Sequence, residues 1–111
     1  MNYIEFETGK RVYKLRLNTR NTVLLEKLLG GNPLVVFTSY LAKDEIPPLE
    51  TMVNILYASL KAYNEDITID NTYDVFDEWL DDGHIIAEFI NIIVDIYRQA
   101  GLIQKEKSEK N

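Results

Sequence analysis

The stretch that decides the fold is YDVFDEWLDDGHIIAEFINIIVDIYRQAGLI, residues 73–103. It places an acidic amphipathic helix before a second helix that carries more apolar surface than a small core needs. Gly83 lies where a left-handed residue ends the first helix, and His84 is predicted to open the second. One helix turns its charges to solvent, whereas the other requires extensive apolar contacts. This combination favours binding to another protein over catalysis.

The last helix has a wide apolar arc. Placed at 100° per residue, its polar residues cover only about 100° and leave roughly 220° apolar. One interpretation is the central helix of a small bundle. The other divides the arc into a stripe that faces the core and a stripe that faces a partner or a second copy of the chain. The core stripe is Ile86, Ile90, Ile93 and Tyr97, and the partner stripe is Ile85, Phe89, Ile92 and Ile96. Both stripes have the same spacing, so the sequence does not distinguish them.

The preceding helix is predicted to carry its acids on one side. Thr72, Tyr73, Phe76, Trp79 and Leu80 project to one side, and Asp70, Asp74, Asp77 and Asp81 to the opposite, outer side. Carboxylates at helical spacing splay outward, and the glycine-containing spacing of a calcium loop is missing, so a metal site is disfavoured. The outer side is interpreted as a solvated face, with a docking patch for a basic partner as the alternative.

The rest of the chain predicts an α+β fold that is mainly α-helical. Residues 3–17 alternate around Gly9 and indicate a β-hairpin, and residues 18–103 indicate a compact bundle of about five helices. Helix starts are predicted at Asn18 or Thr19, at Asn32-Pro33, after Ile46-Pro47-Pro48, and at Thr68 or Asp70. Residues 1–103 are therefore expected to form a single domain, and residues 104–111 a disordered charged tail.

Charge and composition narrow the classes of function. The formal net charge of −6 argues against a dedicated nucleic-acid binder, which would need a basic surface. Residues 1–30 hold six Lys/Arg against three Asp/Glu, whereas residues 44–95 hold thirteen acids and one base. Cysteine is absent, and no apolar run is long enough for a membrane span or a secretory signal. We expect a soluble protein of the cytoplasm with no membrane partner.

Few residues are candidates for chemistry. His84 is better explained as a helix-start residue than as a base, because no nucleophile and base pair is recognisable. The surroundings of Trp79 are acidic, which suits a core residue rather than a stacking platform for bases. We expect no enzyme activity, no metal and no cofactor. The basic set Lys10, Arg11, Lys14, Arg16 and Arg20 is either a solvated face or a contact for phosphate or for the acidic half of another subunit.

A family resemblance rests on the order of these segments. The hairpin is followed by LNTRNTVLLEKLLGGNPL, IPPLETMVNILYASLKAYN, YDVFDEWLDDGH and EFINIIVDIYRQAGLI. Together, over residues 13–103, they resemble the small tail assembly chaperones of long-tailed phages and prophages of Gram-positive bacteria.

The resemblance implies a non-enzymatic protein of tail morphogenesis. Such chaperones coat the tape measure protein, keep its hydrophobic segments soluble and help recruit tail tube subunits. It implies the tape measure protein and the tail tube protein as partners, and in many such genes a longer product made by ribosomal frameshifting. The wide apolar arc also fits a homo-oligomer.

Two other classes of function compete with the chaperone. One is an acidic adaptor or inhibitor that binds another folded protein, for example by mimicking DNA through its acidic face. The other is an acid-dependent enzyme, which would need an enclosed carboxylate among Asp70, Asp74, Asp77 and Asp81.

Overall fold

Helix α3, Leu49–Leu60, lies at the centre of the fold in a computed structural model that describes residues 2–104. Its sequence, LETMVNILYASL, places apolar or small side chains on almost every side of the helix. The buried residues are Met52, Val53, Ile55, Leu56, Ala58, Ser59 and Leu60. Because its buried positions cover most of its circumference, this helix needs cover from several other elements.

The predicted architecture, a two-stranded hairpin followed by five helices, is confirmed. The hairpin strands are β1, Ile4–Glu7, and β2, Val12–Leu15. The other helices are α1, Thr19–Leu29; α2, Pro33–Ala42; α4, Ile69–Asp81; and α5, Phe89–Ala100. The predicted disordered tail lies outside the described residues, except for Gln104. Within residues 2–104, no helix has the length and apolar character required to span a bilayer.

The helix ends follow the predicted capping chemistry. The side chains of Asn18, Asn32 and Thr68 each accept a backbone N–H of the first turn that they precede. Gly30 ends α1 with φ of 76°, in the left-handed region that glycine adopts without strain. Residues next to each helix end therefore determine these helix boundaries without help from tertiary contacts.

The predicted start of the last helix at His84 is wrong, because α5 begins at Phe89 after a 3-10 turn, Ile86–Glu88. Gly83 is left-handed, with φ of 98°, and Ile85 is extended. The Glu88 carboxylate accepts the backbone N–H of Ile85 at 2.7 Å, as a capping side chain does. The extended Ile85 and the Glu88 cap therefore place the start of α5 several residues later than Gly83 alone indicates.

The hairpin depends on the helices for its stability. Its antiparallel register pairs Ile4 with Leu15 and Phe6 with Tyr13, and Phe6 and Leu15 are buried. Beyond β2, the backbone N–H of Arg16 donates to the Ser59 carbonyl of α3 at 3.0 Å. Two strands alone are marginal in water, so these contacts with helices hold the hairpin in place.

An aromatic cluster joins the hairpin to α4 and α5. Phe6 stacks on Trp79 with ring centroids 5.8 Å apart, and Phe89 lies edge-on to Phe6 and Trp79. Phe76 completes the cluster at 5.0 Å from Phe89. The prediction that Trp79 packs in the core is confirmed, because only 3% of its surface is exposed.

We expect Leu56→Ala to lower the free energy of unfolding by about 2–5 kcal/mol, because it leaves a cavity in the centre of the core. Leu49→Ala is the matched control in the same helix, since Leu49 is 47% exposed, and it should cost less than about 1 kcal/mol. Urea denaturation followed by circular dichroism measures both. Equal losses for the two variants would contradict the central position of α3.

The hydroxyl of Tyr97 gives a second test of the core. Tyr97 is fully buried, and its hydroxyl oxygen has no hydrogen-bond partner among residues 2–104. Tyr97→Phe should therefore leave the free energy of unfolding at pH 7 unchanged or higher, because a desolvated hydroxyl is removed. A loss above about 1 kcal/mol would indicate a partner for the hydroxyl.

The same residue predicts a loss of stability in alkali. Burial raises the pKa of Tyr97 above its ordinary value, so only the unfolded chain releases this proton just above pH 10. Its contribution to stability is complete below pH 10 and falls by up to about 1.4 kcal/mol per pH unit above it. Urea denaturation between pH 9 and pH 11 should show a smaller decrease for Tyr97→Phe than for the wild type.

Candidate protein-binding surfaces

A partly buried carboxylate attaches the hairpin to α4. Glu78 Oε1 accepts hydrogen bonds from the Thr8 hydroxyl at 2.9 Å and the Tyr13 hydroxyl at 3.2 Å. Arg11 Nε lies 3.8 Å from the same oxygen. Burial, followed by the charge of Glu78, raises the pKa of Tyr13, and the Arg11 guanidinium opposes this shift. The basic hairpin turn is thereby fixed against the acidic helix.

The outer side of α4 is acidic, as the periodicity predicts. Asp70, Asp74, Asp77 and Asp81 are all exposed, and no ion pair within residues 2–104 involves them. In this part of the chain, acidic and histidine side chains form no group of three that could hold a metal ion. A general acid among these four aspartates would need an enclosed pocket, and their side chains lie at the surface. A role for them in partner binding stays a prediction.

The predicted division of the last helix into two stripes is wrong. Phe89 and Ile96, assigned to the partner stripe, are 0% and 1% exposed and belong to the core. Ile92 is half-buried, whereas Ile85 is 63% exposed. The buried face takes residues from both stripes, because its centre lies between them. Its members are Phe89, Ile93, Ile96 and Tyr97.

The segment between α4 and α5 is an ordered turn that exposes apolar side chains. We call residues 81–88 the α4–α5 corner. Ile85 is 63% exposed and Ile86 39%, both outside α5 and therefore outside its buried face. The His84 ring lies parallel to the Trp79 indole, 4.6 Å between centroids, and the Glu88 carboxylate caps the turn. The α4–α5 corner therefore exposes apolar residues on a turn that side-chain contacts stabilise.

The position of His84 favours a packing role. Its Nε2 lies 3.8 Å from Asp82 and its Nδ1 lies 3.5 Å from Glu88, while its ring covers the indole of Trp79. These contacts orient the corner.

A second candidate binding surface lies on helix α2, and the sequence analysis did not identify it. Helix α2, PLVVFTSYLA, contains no charged residue, although one side of it is exposed. We call this side the α2 face, which consists of Val35, Thr38, Ser39 and Ala42. Val35 is 63% exposed, as much as Ile85. Ten consecutive uncharged residues were the available signal, because a helix with one solvated side normally carries charges there.

The outer side of α1 is basic and partly apolar. We call it the α1 face, and it consists of Thr19, Arg20, Val23, Leu24 and Lys27, which line a shallow surface depression. Val23 is 42% exposed, and both cations are exposed. The sequence pointed to a basic hairpin region that ended at Arg20, but it did not connect Arg20 with Lys27 on one helix face.

The fold is that of a small α+β protein that presents basic, neutral and acidic helix faces on separate outer helices. A family model described as a family of unknown function, DUF6096, matches residues 5–111, and the chain belongs to this family. No curated protein and no solved structure matches the chain significantly.

We expect Glu78→Gln to lower the pKa of Tyr13, because the negative charge that helps to raise it is removed while the burial stays. Spectrophotometric titration of the variant against the wild type measures the change, with Tyr13→Phe assigning the signal. Glu78→Ala should in addition lower the free energy of unfolding by about 0.5–1.5 kcal/mol, since the hydrogen bonds from the Thr8 and Tyr13 hydroxyls to the carboxylate are lost while the Thr8 hydroxyl can still donate to the Arg11 carbonyl. An unchanged titration in Glu78→Gln would place the carboxylate away from Tyr13.

Proposed function

We propose that this protein is a non-enzymatic tail assembly chaperone of a long-tailed phage or prophage. It binds the tape measure protein in the bacterial cytoplasm and helps to recruit tail tube subunits during tail morphogenesis. The order of the hairpin and the helix segments supports this proposal through the resemblance described above. The exposed apolar surface supports it through the physical requirements of a chaperone.

The observation that carries the proposal is the α2 face. Tape measure segments that need a chaperone are apolar, and an amphipathic helix packs its apolar stripe against an uncharged surface. Val35 is the large apolar residue of this face and is 63% exposed. We assign the client to the α2 face because burying it desolvates no charge.

The size of the α2 face suits a client that must later be released. A helix of ten residues is about 15 Å long, so it contacts only two or three turns of a bound helix. Small interfaces of this kind bind weakly, since the cost of association is offset by few contacts. Tail tube subunits could then displace the chaperone as the tube grows. Leu41, Ile46 and Leu49 are also exposed where the chain leaves α2.

An acidic adaptor or inhibitor is the second candidate, and the exposed aspartates of α4 favour it. Such a module would bind a basic folded partner through Asp70, Asp74, Asp77 and Asp81 rather than an apolar helix through α2. Gene context separates the two candidates. A chaperone gene should lie between the genes for the major tail protein and a very long tape measure protein.

The direct test is co-expression with the tape measure protein of the same genome, using the complete gene so that any frameshifted product is also supplied. The wild type should keep the tape measure protein soluble and co-purify with it. Val35→Lys should lower the co-purified amount by about tenfold or more, because a charge in the interface is desolvated on binding.

Val12→Lys is the matched control, since Val12 is 51% exposed on the hairpin, and it should behave as the wild type. Circular dichroism checks that both variants are folded. An insoluble tape measure protein in the presence of the wild type would overturn the chaperone assignment. A soluble complex that Val35→Lys leaves intact would instead move the client away from α2.

A further inference from the structure

Helix α2 is attached to the rest of the fold by little buried surface. Of its ten residues only Pro33 and Phe37 are buried, whereas α3 buries seven of twelve. Helices α1, α4 and α5 all pack on α3, but α2 packs mainly on α1. Few buried side chains therefore offset the conformational entropy that is lost when this helix docks.

Phe37 is the largest buried side chain of α2. It is 2% exposed, and its ring lies edge-on to the ring of Tyr97 in α5, with centroids 5.8 Å apart. Leu34, one turn earlier, is only partly buried against the core. Docking of α2 on the core therefore depends largely on one aromatic side chain.

Both connections of α2 have the properties of hinges. Gly30 is left-handed, with φ of 76°, and in the described part of the chain the space beside its α-carbon is open. At the other end Asp44 is left-handed, with φ of 59°, within the exposed segment 43–46. Residues at the ends of an element absorb the backbone rotation that moves it. Pro47 is buried again and fixes the chain ahead of α3.

We propose that α2 opens from the folded protein as a unit, rotating about Gly30 and segment 43–46 and withdrawing Phe37 from the core. The contacts of α3 with β2, α1, α4 and α5 do not involve α2, so they stay formed in the open state. A helix of ten residues is marginal in water by itself, so an undocked α2 also loses helical structure. Opening is therefore a local unfolding of one element, with a lower free energy than global unfolding.

Opening removes the α2 face. Because the proposed function places the client on this face, opening would release a bound client while the rest of the protein stays folded. This consequence rests on the proposed function. The opening itself does not, since it depends only on contacts within the chain and is measured without a client.

Native-state hydrogen exchange by NMR in low concentrations of urea tests the proposal on the purified wild type. The hydrogen-bonded amides of residues 36–42 should share one protection factor, at least about 30-fold below that of the α3 amides. Their exchange should also depend less steeply on urea, since opening exposes less surface than global unfolding. Protection and urea slope equal to those of α3 would overturn the proposal. So would graded protection without a urea slope, which indicates fraying from the helix ends.

Two matched variants separate opening from global unfolding. Phe89 is buried like Phe37 but contacts Phe6, Phe76 and Trp79, which the opening of α2 leaves in place. Phe89→Leu should lower the protection of α3 by up to about tenfold and leave that of α2 unchanged. Phe37→Leu should lower both by the same factor, because the contacts of Phe37 are absent from the open and the unfolded state alike. An equal loss of protection for α2 and α3 in Phe89→Leu would rule out the opening, because α2 would then undock only with the whole protein.

Discussion

The burial of α3 is the constraint on which the rest of the structure depends. A twelve-residue helix with seven buried positions needs cover over most of its circumference, and within residues 2–104 strand β2 and helices α1, α4 and α5 pack against it. Each outer element therefore packs one side against the core and leaves its other side exposed to solvent. The hairpin is stable only because it is one of these covering elements, anchored through Ser59 and Glu78. The charge and polarity of the surface therefore depend on which residues each outer helix exposes.

The three outer helices α1, α2 and α4 differ in the sign of their exposed charge. The basic α1 face, the uncharged α2 face and the acidic side of α4 lie on separate helices, and each suits a different kind of contact. In the proposed function the uncharged α2 face binds the client, and the charged sides of α1 and α4 lie on other helices.

Local rules explain what the sequence could predict. The caps at Asn18, Asn32 and Thr68 and the aspartate side of α4 depend on neighbours within one or two turns, and they appear as predicted. The burial of Phe89 and Ile96 depends on where the hairpin and the other helices pack against α5, which a helical projection does not contain. The exposure of the α2 face was missed for the same reason. An apolar pattern identifies the side that avoids water, but it does not show whether another element covers that side.

The stack of His84 on Trp79 has a further consequence. The chain contains one tryptophan and one histidine, and the structure brings these two rings into parallel contact at the base of the α4–α5 corner. The tryptophan fluorescence of the protein therefore comes from a single indole that senses this corner. Binding or distortion there would change the emission of that indole, whereas events at the α2 face would not involve it directly. Trp79 is therefore an intrinsic fluorescent probe of the α4–α5 corner and requires no added label.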